Sequence, residues 1–171
     1  MIMPCPLPKE SLLQRCADAG AFTDCYTTNI NQAVSQTQYV EAFYSTTVFG
    51  IERLILKWAI NKGSTRSDIQ QLAAGTANTF AAWTVEARTP NQLLLADFKG
   101  RTRSWLMTLP PSDTGDGTTR LFFGSAVMPQ TDPATGQPLL GAGFGSLLWF
   151  HKLYSRVLLA AAKERLRLQR T

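Results

Sequence analysis

The residues best suited to chemistry in this sequence are few, and they centre on one histidine. His151 is the only histidine among 171 residues, and it lies in the stretch LLWFHKLYSR (147–156) with Tyr154 three residues later. An imidazole titrates near neutral pH and a phenol can transfer a proton, so the pair could provide general acid and base catalysis. A neutral imidazole packed in a core with one hydrogen-bond partner explains the same pattern. Both interpretations stay open.

Other kinds of catalytic site have no matching pattern in the sequence. Neither GxSxG nor a recognised Cys/His context accompanies the single imidazole. One histidine and scattered carboxylates form no ligand cluster for a metal ion. The segment GAGFGS (141–146) has GxGxG spacing and no strand directly before it, so it does not match the dinucleotide-binding fingerprint. We therefore expect no metal and no cofactor.

A second group of polar candidates lies in the stretch LLLADFKGRTRSWL (93–106). A hairpin here would place Asp97 near Arg101 as a cross-strand ion pair. Alternation along the second strand puts Arg103 and Trp105 on one face. If that face lines a cavity, an arginine could bind a carboxylate through two parallel hydrogen bonds. If that face points to water, Trp105 needs a cover that the sequence does not identify.

The periodicity of apolar residues predicts the elements that position these side chains. Residues 22–30 alternate as a first strand, and apolar spacings of three or four between residues 38 and 60 predict two consecutive helices. A third short helix follows, with Ser64, Thr65 or Ser67 as its cap and Gly75 at its end. Period-two patterns then predict an antiparallel meander with strands over 79–88, 91–98, 101–109 and 118–127.

The chain is expected to end in a long helix over about 144–168, after a loop rich in proline and glycine. Leu147, His151, Tyr154 and Leu158 share one stripe of this helix, and the cations of the helix lie outside that stripe. Because the sheet must bury an apolar face, the stripe is expected to pack on the sheet. Trp83 alternates with polar residues on a strand, and packing in the core explains it better than a ligand contact does.

Composition predicts one globular domain over residues 1–171, with residues 1–20 as an extended surface lead-in. Hydrophobic residues make up 44% and charged residues 17% of the chain, and the net charge of +5 is scattered, so we expect no nucleic-acid partner. Three cysteines form neither a CxxC nor a metal pattern. The start of the chain does not resemble a signal peptide, and no apolar run would span a bilayer. A cytoplasmic protein is expected.

The order of these elements resembles the helix-grip fold of the START-like, or Bet v 1-like (SRPBCC), superfamily. The segments FTDCY, YVEAFYSTTVFGIERLILKW, LLLADFKGRTRSWL and LLWFHKLYSR are also similar to a bacterial branch of that superfamily. The resemblance implies an α+β fold in which a curved antiparallel sheet wraps around the long C-terminal helix. It also implies a cavity between sheet and helix that holds lipids, hormones or polyketide-like compounds. The usual sheet has one or two more strands than the sequence predicts. Either part of residues 128–140 pairs as a strand, or the sheet around the helix has fewer strands than usual.

Three hypotheses about function follow from these patterns. The first is a cofactor-free protein that binds a small, mostly apolar ligand between the sheet and the C-terminal helix. The second is a cavity enzyme of cyclase, hydratase or isomerase type that uses His151 and Tyr154 for proton transfer. The third is an interaction module whose interior is filled by its own side chains. The candidate ligand contacts are His151, Tyr154, Arg103, Trp105, Leu147 and Trp83. The patterns specify neither the ligand nor an oligomeric state.

Overall fold

The computed structural model describes residues 1–46, 65–114, 117–131, 138–139 and 144–169, and side chains are described for these residues apart from 130–131, 138–139 and 144–153. The second of the two helices expected between residues 38 and 60 lies outside the described residues. So do the side chains of Leu147 and His151.

Seven strands form one antiparallel sheet. The strands are β1 (Met3–Pro4), β2 (Phe22–Ile30), β3 (Thr79–Phe80), β4 (Trp83–Thr89), β5 (Gln92–Asp97), β6 (Thr102–Leu109) and β7 (Thr119–Val127), in the spatial order β1-β2-β7-β6-β5-β4-β3. The α+β class, the first strand and the antiparallel meander are therefore confirmed. Residues from the 128–140 loop do form strands, β8 (Gln130–Thr131) and β9 (Pro138–Leu139), but these two pair with each other.

The described residues form five helices. They are α1 (Gln14–Asp18), α2 (Gln36–Tyr44), α3 (Arg66–Ala74), α4 (Pro111–Thr114) and α5 (Phe144–Leu168). Thr65 and Asp68 form a capping box at the start of α3, and Gly75 ends that helix in a left-handed conformation with φ of 81°. The expected cap and end of this helix, and the expected bounds of the C-terminal helix, are confirmed.

Helices α2 and α5 cover one face of the sheet with a dense aromatic core. Phe43 of α2 packs on Phe123 of β7 with ring centroids 4.9 Å apart, and Tyr44 packs on Phe80 at 5.3 Å. The Tyr39 hydroxyl donates a 3.1 Å hydrogen bond to the carbonyl oxygen of Phe122. The buried face of α5 contributes Leu158, Leu159, Ala162 and Leu166. This face therefore holds the main core of the described chain.

Residues 1–20 cover the opposite face of the sheet, which corrects the expectation of an extended surface lead-in. Leu13 and Cys16 are buried against Trp105 and Met107 of β6 and against Phe122 of β7. The segment also contains β1, which pairs with β2, and α1. The cover that Trp105 required is thus the start of the chain itself.

One buried glutamine fastens this cover to the sheet. The Gln92 side-chain oxygen accepts hydrogen bonds from the Leu12 backbone N–H and from the Trp105 indole N–H, each at 2.9 Å. Its amide nitrogen donates to the Glu10 carbonyl oxygen at 3.1 Å. Because Gln92 is 5% exposed, water cannot readily replace these bonds.

The packing under the cover leaves no room for an added methyl group at Gly124. A Cβ there would lie 2.9 Å from the Trp105 ring, 3.0 Å from the Asp24 carbonyl oxygen and 3.0 Å from Leu13. The glycine therefore lets β7 pass directly beneath Trp105 and the lead-in.

The substitution Gln92→Leu is expected to lower the free energy of unfolding by about 2–4 kcal/mol, because it leaves two buried donors without an acceptor at nearly constant volume. Urea denaturation measures this loss, and hydrogen exchange should rise in residues 5–16. Gln71→Leu on the exposed face of α3 is the control and should change stability by less than about 0.5 kcal/mol. Equal stability of the two variants would contradict the anchoring role of Gln92.

Candidate ligand-binding cleft

A carboxylate on β2 connects the sheet to the C-terminal helix. Asp24 lies directly opposite Ser125 in the register of β2 and β7. One Asp24 oxygen accepts hydrogen bonds from the Ser125 backbone N–H at 3.2 Å and from the Ser125 hydroxyl. The other accepts from the hydroxyl of Ser155, a buried residue of α5, at 3.4 Å. Three hydrogen-bond donors thus stabilise the Asp24 carboxylate.

An open cleft of about 650 Å³ begins beside this carboxylate. Residues 4–7 form one wall, residues 22–26 of β2 form another, and Arg156 of α5 closes the third side. Leu7 and Phe22 give the cleft an apolar lining. The cleft lies where the lead-in and α5 both approach β2.

Charges at the end of the cleft act on the Tyr26 phenol. Burial raises the pKa of Tyr26 above its ordinary value, Asp24 raises it further, and the positive charge of Arg156 opposes both effects. The phenol therefore stays protonated at neutral pH and can act as a hydrogen-bond donor. Arg156 itself makes no hydrogen bond or ion pair in the part of the chain that the structure describes. Its guanidinium is free to bind an anion.

The four predicted contact residues whose side chains are described lie on two faces of the sheet. Trp83 and Tyr154 are half-buried and pack against the core on the α5 face. Trp105 lies under the lead-in on the opposite face, and alternation along β6 places Arg103 on that face too. Leu147 and His151 belong to α5, and their side chains lie outside the described residues. The proposed roles of His151 and Tyr154 in proton transfer stay predictions.

The Arg103 guanidinium already has partners. Its Nε donates to a Glu86 carboxylate oxygen at 2.7 Å and a terminal nitrogen donates to the Gly100 carbonyl oxygen at 2.5 Å. Glu86 also forms an ion pair with Arg15 of α1 at 3.1 Å. Arg103 therefore helps to hold α1 on the sheet. These bonds do not favour a role for Arg103 in binding a ligand carboxylate.

Two other polar candidates, Asp97 and Trp83, differ in whether they have hydrogen-bond partners within the described residues. Asp97 interacts with the backbone at the hairpin, where one carboxylate oxygen accepts from the N–H of Arg101 at 2.7 Å and of Thr102 at 3.3 Å. The indole N–H of Trp83 is buried and has no acceptor among the described residues. An unpartnered buried donor is uncommon and is a place where water or a ligand could accept a hydrogen bond.

Sequence reasoning missed Asp24 and the binding potential of Arg156. Asp24 interrupts the apolar face that Phe22, Tyr26 and Ile30 form on the first strand, and this interruption was the available signal. Arg156 is one of the cations expected outside the apolar stripe of the helix, and it is exposed, but its position at the cleft depends on how α5 docks against β2.

No protein-family model, curated protein or solved structure matches this chain. The site is therefore interpreted from its own residues. Within the described ranges, no cluster of three or more histidine, cysteine or acidic side chains could hold a metal ion, and no helix is long and apolar enough to cross a membrane.

Asp24→Ala is expected to lower the free energy of unfolding by about 1–3 kcal/mol, because the Ser125 and Ser155 donors lose their common acceptor. Asp24→Asn should cost less, since an amide oxygen still accepts from the Ser125 N–H. Thermal or urea unfolding measures both losses. Asp113→Ala, at an exposed carboxylate of α4, serves as the control. A stability loss no larger than that of the control would contradict the connecting role of Asp24.

Proposed function

We propose that the chain binds a small, mostly apolar molecule that carries an acidic group, in the cleft between residues 4–7, residues 22–26 and Arg156. The volume of the cleft supports this proposal. At about 650 Å³ it falls within the range of roughly 300–1,000 Å³ that is typical of sites for small molecules. An apolar lining with a few polar groups at one end is also typical of such sites.

The charges of the cleft favour an anionic ligand over a cationic one. Asp24 already accepts three hydrogen bonds from Ser125 and Ser155. Arg156 has an uncommitted guanidinium, which can donate two parallel hydrogen bonds to a carboxylate. The protonated Tyr26 hydroxyl can add a third donor. An acidic group at this end of the ligand would leave its apolar part against Leu7 and Phe22.

The location differs from the one expected, which was the space between the sheet and the C-terminal helix. Among the described residues, the core that α2 and α5 form against the sheet contains buried aromatic side chains, namely Tyr39, Phe43, Tyr44, Phe80 and Phe123. We therefore assign the ligand to the edge of the sheet. We also propose that the sheet and α5 form a helix grip, which is supported by the packing of Leu158, Leu159 and Ala162 in the sheet-facing core.

The buried aromatic side chains in the core of the described residues favour a second candidate function, the interaction module. This candidate requires no bound small molecule. Native mass spectrometry of freshly purified protein, followed by extraction, separates the two candidates. A co-purifying molecule of low mass supports the ligand-binding protein, and its repeated absence together with failure of the probe experiment below supports the interaction module.

Arg156→Gln is expected to weaken binding of dansyl-labelled undecanoic acid by about three- to tenfold, because the carboxylate loses a charge-assisted partner. Fluorescence titration measures the dissociation constant. The methyl ester of the same probe has no charge and should bind wild type and Arg156→Gln with similar affinity.

Arg167→Gln provides the matched control, since Arg167 lies on the same helix, pairs with Glu164 and does not line the cleft. It should bind the acid as wild type does. If Arg156→Gln and Arg167→Gln bind the acid equally well, the proposed site is wrong. Failure of the wild-type protein to bind either probe would count against the proposed function as a whole.

A further inference from the structure

Two of the three cysteines lie side by side at the edge of the sheet. The Sγ atoms of Cys5 and Cys25 are 3.3 Å apart, within hydrogen-bonding distance for sulfur. The Cys5 backbone N–H donates to the Cys25 carbonyl oxygen at 3.0 Å. The preceding pairs in the register are Met3 with Thr27 and Pro4 with Tyr26. Cys5 and Cys25 therefore continue the antiparallel pairing as opposite residues.

This arrangement satisfies the backbone requirement for a disulfide. Opposite residues on antiparallel strands have Cα atoms about 4.5–5.5 Å apart. Disulfides join residues whose Cα atoms are about 4.4–6.8 Å apart, with sulfur atoms at about 2.05 Å. The sulfur atoms of Cys5 and Cys25 can thus approach through rotation about side-chain bonds, without a change of strand register.

The two thiols differ in access and in acidity. Both line the open cleft, but Cys5 is half-buried whereas Cys25 is buried at 6% exposure. The hydrogen bond with Cys25 lowers the pKa of Cys5, against the opposing effect of burial. The same contact and burial raise the pKa of Cys25. Because the thiolate is the reactive form, Cys5 is the sulfur that meets an oxidant first.

We propose that Cys5 and Cys25 form a reversible intramolecular disulfide when the protein is exposed to hydrogen peroxide. The Cys5 thiolate attacks one peroxide oxygen, the O–O bond breaks, and with one proton taken up the products are a Cys5 sulfenic acid and water. The Cys25 sulfur then attacks the Cys5 sulfur, the S–O bond breaks, and the Cys25 proton leaves with the oxygen as a second water. Two thiols are oxidised and one peroxide is reduced.

The consequence for the fold is a covalent link between the lead-in and β2. In a reduced cytoplasm, which the sequence leads us to expect, such a pair would stay as thiols until an oxidant appears. Oxidation would then tie residues 1–5 to the strand that they already pair with. This inference does not depend on a ligand in the cleft.

The third cysteine offers an internal control. Cys16 is buried in the cluster with Leu13 and Trp105. Burial raises its pKa, and the nearby negative charge of Glu86 raises it further. It should therefore remain a thiol under conditions that oxidise Cys5.

Intact-mass spectrometry of the full chain tests the proposal without any substitution. Reduced protein, freed of reductant and treated with hydrogen peroxide, should lose about 2 Da, the mass of two hydrogen atoms. Alkylation after denaturation should then label one thiol where the reduced protein has three. Peptide mapping should find the cross-link between Cys5 and Cys25, and dithiothreitol should restore all three thiols.

Variants assign the reaction to the pair. Cys16→Ala should show the same mass loss as wild type, whereas Cys5→Ser and Cys25→Ser should not. Three results would overturn the proposal: oxygen addition without a cross-link, a cross-link that includes Cys16, or a covalent dimer in place of the internal bond. Peptide mapping of the wild-type protein identifies the bonded residues directly, so the proposal can be tested even if a variant fails to fold.

Discussion

The structure depends on burying both faces of its central sheet. The runs Leu93–Leu95 on β5 and Leu121–Phe123 on β7 are buried on both sides, so each face needs a cover. Helices α2 and α5 cover one face, and residues 1–20 cover the other. The second cover has no long helix, and the three hydrogen bonds of the buried Gln92 side chain help to attach it, together with the pairing of β1 with β2. Without Gln92, the Trp105 indole N–H would lose its hydrogen-bond acceptor.

The candidate site results from the meeting of these two covers at the edge of β2. The lead-in pairs with β2 from Met3 to Cys5, and α5 contacts the same strand through Ser155. The open space between them is the cleft beside Asp24 and Arg156. The lead-in contains Cys5 and β2 contains Cys25, so the contact between these two segments also places the two thiols side by side. Binding and redox chemistry are thus proposed for one edge of the sheet.

The polar residues considered as ligand contacts divide into those with structural partners and those without. Asp24 and Arg103 have their hydrogen bonds supplied by neighbouring parts of the chain, so their first effect is on stability. Arg156 has no such partner among the described residues and lines the cleft. An uncommitted guanidinium beside an apolar wall is more informative about function than a charged residue already held in a network.

Local patterns in the sequence determined the elements. The α+β class follows from three such patterns, which are the alternation over residues 22–30, the Thr65 cap with the Gly75 end, and the long apolar stripe near the C-terminus. Each pattern predicts a strand or helix that contacts between residues close in sequence can stabilise. Only the tertiary structure decided which elements cover which face. The lead-in has too little regular pattern to reveal that it buries Trp105, and no local signal joins Cys5 to Cys25 or Asp24 to Ser155. These contacts join residues that are 20 and 131 positions apart, and they exist because the sheet required a cover on each side.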